Sequence, residues 1–430
     1  MLKRIYKKFR RIVFAVLRHS PRLRWWVRST YWGFRRKQYA ALYRGIAVEQ
    51  KSILFESFSG RSYSCSPRAI FEALCEDTRF DSWQFFWSFN NNHIADIPKD
   101  HPLLTDRAKP IERGTSQYFM ACAKSAFWVL NSRMPEWINP KSDQKYIQCW
   151  HGTPLKRLGF DMPQTAVAAL NTTKELSKRY QIDAQKWTYL LSPSAYCSEH
   201  LLTAFGVPPE TNCTVLEVGY PRNDAIVNII KSSDPTKVIK DMKQQLKIPD
   251  NKHILLYAPT WRDSKYDKNY GYMMDNELDF DLLQKSLGKE WIILLRAHYY
   301  IRNRIELDHW NDFIIDVSNA NDINDLYVVS DALMTDYSSA LFDYSNTGRP
   351  IILFFPDYEF YKNEQHGFYM DPFELPGYKC FTSEEVVAAI ESLDNWDDQF
   401  GEEYKVFHQH FCPMDDGLAT ERVIEQVFIR

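Results

Sequence analysis

Two short polar stretches carry the residue types that phosphate chemistry uses. One is His151-Gly152-Thr153-Pro154-Leu155-Lys156; the other is Thr335-Asp336-Tyr337-Ser338-Ser339. A histidine titrates near neutrality, so His151 is a candidate proton acceptor. Gly152 lets a ligand approach the backbone closely, and Thr153 and Lys156 could hold phosphate oxygens. Ser338 and Ser339 are good N-caps for a helix beginning at Ala340-Leu341-Phe342. A helix start has free N–H groups and the positive end of the dipole, which suits phosphate. Thr260 and Arg262, in Tyr257-Ala258-Pro259-Thr260-Trp261-Arg262, and Arg296 and His298, in Arg296-Ala297-His298, add further hydroxyls and cations. Taken alone, each stretch also fits a plainer role: a structural histidine, or an ordinary capped helix.

What these residues share is their place in the pattern of elements. Each follows an apolar run: Tyr146 to Trp150 before His151, His253 to Ala258 before Thr260, Trp291 to Leu295 before Arg296, and Ala332-Leu333-Met334 before Thr335. Further runs at Ser52–Phe58, Trp83–Phe89, Ser125–Asn131, Leu190–Ser194, Val215–Val218, Phe313–Asp316 and Ile351–Phe355 alternate with helical patterns. Strands alternating with helices imply parallel βαβ units, hence an α/β fold. The carboxyl ends of parallel strands share one rim, where such folds bind ligands. Six polar placements on one rim, namely Thr260, Arg262, Arg296, His298, Ser338 and Ser339, argue more strongly than any single one. The Gly219-Tyr220-Pro221-Arg222-Asn223-Asp224 segment marks a crossing between two such halves, and two halves facing each other make a cleft. The expected division is an arm over 1–48, a first α/β domain over 49–220, and a second over 221–430. The final helix could cross back to the first domain.

Composition narrows the class. The 430 residues are 45% hydrophobic and 25% charged, as in a globular chain, and the net charge is −2. That average hides a split: the first 48 residues hold 14 Lys or Arg and no acid, leaving 39 basic against 55 acidic residues in the remainder. In the arm, Leu2, Ile5, Phe9, Ile12, Val13 and Val16 recur at helical spacing opposite Lys3, Arg4, Lys7, Lys8, Arg10 and Arg11. Trp25, Trp26, Tyr31, Trp32 and Phe34 follow among arginines. A basic amphipathic helix with interfacial tryptophans predicts docking of residues 1–45 on an anionic membrane surface in preference to nucleic acid. A helix packed on the body is the plainer reading. The Ile12–Leu17 core is too short for a signal peptide, and no apolar run is long enough to span a bilayer. Eight cysteines stand singly without a C-x-x-C pair, which fits a reducing compartment. There is no G-x-G-x-x-G, Walker loop or H-x-x-x-H, and Asp279-Phe280-Asp281 reads as a helix start, so no obligatory metal or other cofactor is expected.

The two opening stretches, with Tyr257–Arg262, Arg296-x-His298, Gly219–Asp224, Asp322–Tyr327, Arg349-Pro350 and Gly367-Phe368-Tyr369, resemble the CDP-glycerol glycerophosphotransferases, the primases and polymerases of wall teichoic acid and related capsules. The resemblance spans roughly residues 50 to 425. It implies a GT-B architecture, with two Rossmann-like domains facing a central cleft and the donor held mainly by the second. It makes His151 and His298 the catalytic histidines and gives Ser338 and Ser339, beside Thr335 and Asp336, the donor diphosphate. Charge logic adds Arg262 and Arg296 to the donor side, Thr260 joins them from the same rim, and Gly152, Thr153 and Lys156 are placed at phosphate contacts near the acceptor. The implied reaction moves glycerol phosphate from CDP-glycerol to a lipid-linked acceptor at the cytoplasmic face of the membrane and releases CMP. A transferase using CDP-ribitol or a nucleotide sugar, and a non-catalytic envelope-assembly protein, are the alternatives; primase and polymerase both remain open.

Overall fold

The computed structural model describes residues 20–163, 172–260, 266–267, 271–272, 278–296, 307–359, 361 and 367–429. Two parallel sheets organise it. The first has seven strands: β1 (Glu49–Glu56), β2 (Gln84–Phe89), β3 (Ala108–Glu112), β4 (Ser125–Leu130), β5 (Lys145–Gln148), β6 (Tyr189–Ser192) and β7 (Thr214–Glu217), ordered β3-β2-β1-β4-β5-β6-β7. The second has six: β8 (His253–Ala258), β9 (Trp291–Leu295), β10 (Ile314–Asp316), β11 (Ala332–Thr335), β12 (Ile351–Phe354) and β13 (Tyr378–Cys380), ordered β10-β9-β8-β11-β12-β13. Strands covered by helices on both faces read as unbroken apolar runs. The buried stretch Ile254–Ala258 in β8 and all four residues of β11 show why the sequence located them.

Each sheet has its own core on both faces. Ile53, Phe55, Trp87, Val129 and Ile147 lie in one cluster of the first domain. Leu256, Leu294, Leu333 and Leu353 lie in one of the second. The last helical turns, Ala419–Val423 running on into Ile424–Phe428, return to the first sheet, where Val423, Val427 and Phe428 join its core and the Phe428 ring meets Phe127 at 5.0 Å.

At the other end of the chain, Pro21–Tyr43 forms one helix of 23 residues. One side docks on the first domain: Arg24 pairs with Glu175, Tyr39 packs on Phe119 and Trp137, and the Arg35 guanidinium lies 4.5 Å from the Trp137 ring centre. Leu23, Trp26, Val27, Tyr31, Phe34 and Leu42 remain exposed along the helix. The helix is therefore both packed on the body and apolar outward. The amphipathic pattern at residues 2–16 lies outside the described residues.

Candidate active site

The polypeptide reaches His151 through a forced turn. Trp150 holds φ at +49°, a left-handed conformation that costs energy in a bulky residue and is found where function requires it. The Gln148 side-chain oxygen accepts the Trp150 N–H at 3.0 Å and steadies the turn. His151 then sits beside Trp150, with ring centres 4.1 Å apart, and 5.5 Å from the Phe58 ring centre. Its Nδ1 lies 2.7 Å from the Asn131 carbonyl oxygen, at the end of β4. A carbonyl can only accept, so Nδ1 carries the proton and Nε2 keeps its lone pair. Burial pushes the imidazole down to about 4; the Asn131 carbonyl works against this, and the positive charges of Arg222 and Arg61 add to it. His151 is thus neutral at physiological pH, the form a proton acceptor needs.

Across the cleft, β11 delivers the serine turn. Asp336 is buried and accepts the N–H groups of Thr260 and Tyr337 at 2.8 and 2.7 Å, so it joins the loops after β8 and β11. Ser338 and Ser339 stand half-buried at the rim. The expected serine-capped helix takes a different form. It is five residues long, Ala340–Tyr344; Ser339 is already in helical conformation and its side chain caps nothing, while the Ser338 hydroxyl accepts the Ala340 N–H at 3.2 Å. So short a helix has little dipole, and the hydroxyls themselves are the more substantial donors.

The two halves meet at Gly152. A Cβ placed there would lie 2.5 Å from the Ser339 hydroxyl oxygen and 3.0 Å from the Ser339 Cβ. Only glycine lets the His151 loop and the serine turn approach this closely. The same loop is stitched to the second domain further along. Lys156 forms an antiparallel bridge with Phe368, the Arg157 N–H donates to the Gly367 carbonyl at 3.1 Å, and the Tyr369 N–H donates to the Leu155 carbonyl at 3.0 Å.

Other expected site residues have different surroundings. The Thr335 hydroxyl is buried and donates to the Ala258 carbonyl at 2.7 Å, tying β11 to β8 instead of facing the cleft. Thr153 is buried with its hydroxyl against the Cys197 thiol. The Lys156 ammonium lies 5.7 Å from the Tyr361 ring centre. Arg296 directs Nη1 to the carbonyls of Val317 and Ala320, at 3.2 and 2.9 Å, and burial lowers its proton affinity. Its contacts therefore hold the loop after β10. Thr260 keeps its place at the end of β8 through the backbone bond to Asp336. Arg262 and His298 lie outside the described residues. Among the described residues, no group of His, Cys, Asp and Glu is arranged to hold a metal ion. Residues the sequence did not single out are Asn131, whose carbonyl orients His151, and the Arg222–Asp343 ion pair behind the site, at 2.8 Å.

Comparison with known proteins identifies the family. The model of the family described as CDP-Glycerol:Poly(glycerophosphate) glycerophosphotransferase matches residues 38–429. A teichoic acid poly(glycerol phosphate) polymerase of Bacillus subtilis (strain 168) is 38% identical over 382 residues, covering 89% of this chain and 49% of that protein, so the chain spans about half its length. The protein of the same name from Bacillus spizizenii is 37% identical over 396 residues, 90% of this chain and 95% of that one. A solved structure of a variant of the wall teichoic acid polymerase TagF, soaked with CDPG, superposes with a TM-score of 0.80 at 32% identity, covering 99% of this chain and 97% of that one.

Proposed function

The chain belongs to the CDP-glycerol:poly(glycerophosphate) glycerophosphotransferase family, and from that membership we propose that it moves glycerol phosphate from CDP-glycerol to a membrane-linked acceptor. That acceptor is a polyprenyl-diphosphate-linked saccharide or a growing poly(glycerol phosphate) chain. The observation that carries the reading is the contact at Gly152, which sets an unprotonated imidazole of one domain against the serine turn of the other.

The acceptor hydroxyl oxygen attacks the β-phosphorus of CDP-glycerol. Its proton passes to His151 Nε2 while the bond from that phosphorus to the CMP oxygen breaks, and CMP leaves with the electron pair. The Asn131 carbonyl holds the ring in the tautomer that can accept. Ser338 and Ser339 donate hydrogen bonds to the diphosphate oxygens, where negative charge accumulates. Diphosphate charge near His151 raises its proton affinity from the depressed value of the empty site, bringing the base closer to working pH when the donor is bound. His298, by resemblance, joins the donor phosphate.

The outer face of the amino-terminal helix supports a peripheral position on the cytoplasmic leaflet. Trp26 and Phe34 are 63% and 65% exposed, and Arg22, Arg36, Lys37 and Arg44 are exposed along the same helix. Aromatic side chains at headgroup depth flanked by cations suit an anionic surface.

Incubation with CDP-glycerol, CDP-ribitol and nucleotide sugars in turn, with an acceptor, tests the reading. CMP release with CDP-glycerol is expected. Preferential turnover of CDP-ribitol or release of UDP would assign another donor, and no release from any of them would leave a binding protein.

A further inference from the structure

Behind the serine turn lies a buried cation that the reaction as described does not use. Arg222 is 5% exposed and belongs to the crossing segment between the domains. Its Nη2 and Nε donate to Asp343 Oδ1 at 2.8 and 3.2 Å, and Asp343 lies on the short helix that begins just after Ser339. Its guanidinium carbon lies 3.9 Å from the Tyr220 ring centre, and Nη1 reaches the Cys65 sulfur at 3.9 Å. The Asn324 side-chain amide donates to the Arg222 carbonyl, and Asn223 donates to both Asp343 and Asp415. Arg222 is therefore fixed from both domains, with its charge acting on His151 from behind.

We propose that Arg222, clamped by Asp343, is a positioning residue for the transfer reaction: it fixes the Ser338-Ser339 turn opposite His151 and brings its positive charge to bear on that imidazole. The inference rests on the reading of His151 as proton acceptor. The charged groups that bear on the imidazole are Arg222 from the crossing segment and Arg61 from the loop after β1. Asp343, from the serine-turn helix, offsets Arg222. The Cys65 thiol, from the helix after β1, is held protonated by burial. Asp415 stands one amide further away, through Asn223.

The pH dependence of kcat/KM for CDP-glycerol, from about pH 3 to pH 8, reads the essential base of the free enzyme. Arg222→Met removes the charge and the fork, whereas Arg222→Lys keeps the charge and loses the fork. Both should lower turnover, by roughly 10- to 100-fold, through a displaced serine turn. Only Arg222→Met should move the acid limb, upward by about one pH unit, because a positive charge beside the imidazole is gone. Asp343→Asn, which leaves Arg222 unopposed, should move it downward. An acid limb unmoved in Arg222→Met and in Asp343→Asn overturns the proposal, however much turnover is lost. Should Arg222→Met fail to fold, because Asp343 is then buried alone, Asp343→Asn carries the test in the same terms. His151→Ala separates the two levels. If it retains turnover, the reading of His151 fails; if it is inactive while the other limbs stay put, only the role of Arg222 fails.

Discussion

Gly152→Ala tests the contact on which the site depends. The added methyl would lie 2.5 Å from the Ser339 hydroxyl oxygen and 3.0 Å from its Cβ, where unstrained carbon contacts are about 3.5–4 Å. The hydroxyl ends a short side chain and can rotate aside; the Cβ need yield by about half an ångström. The substitution therefore acts chiefly by turning Ser339 Oγ away from the donor. A hydrogen bond to a charged group contributes about 1.5–3 kcal/mol, and about 1.4 kcal/mol is tenfold, so kcat/KM for CDP-glycerol should fall roughly 10- to 100-fold. Ser339→Ala should cost a similar factor. Because both remove the same hydroxyl, the double variant should lose little more than either single one, giving a coupling energy close to one whole single-variant loss. CMP release under subsaturating donor supplies the four rates, and thermal melting checks that the fold is kept. Losses that multiply in the double variant, or wild-type kcat/KM in Gly152→Ala, would refute the reasoning.

Three further outcomes follow from the same structure. His151→Ala should lower turnover by about 10²–10⁴-fold, the usual contribution of one positioned proton acceptor, and near-normal CMP release would remove His151 from the mechanism. Because His151 is held down to about 4 in the folded chain, the kcat/KM profile should be flat above about pH 5 and fall as pH drops through about 4. The unfolded chain binds this proton more readily, from about pH 6.5 downward, so stability should also decline between those values as pH falls, and the decline should be smaller in His151→Gln. Finally, Trp26→Ser with Phe34→Ser should weaken flotation with anionic liposomes while leaving the melting temperature unchanged, since both side chains are exposed; undiminished flotation would exclude this face as the docking surface.

Much of the fold could be read in the sequence because parallel strands buried on both faces are nearly unbroken apolar runs. Each of the runs ending at His151, Thr260, Arg296 and Thr335 contains a strand of one of the two sheets. What a local pattern does not show is the partner. Thr335 ends its strand like a ligand-binding residue, yet its hydroxyl satisfies a carbonyl on the neighbouring strand. The fork of Arg296 serves two carbonyls more than twenty residues away in the chain. Asn131 acts through its backbone oxygen, which no residue type announces. Arg222 and Asp343 are 121 residues apart, and only the crossing of the chain between domains brings them together. Residue type and element end located the cleft; the division between residues that face it and residues that support it came from long-range hydrogen bonds.

A structure of this chain soaked with CDP-glycerol tests the central claim most directly. The expected result places diphosphate oxygens within about 3 Å of the Ser338 and Ser339 hydroxyls, with the β-phosphorus facing the ring edge that carries His151 Nε2. A diphosphate bound out of reach of that turn, or turned so that His151 cannot approach an oxygen attacking the β-phosphorus, would contradict it.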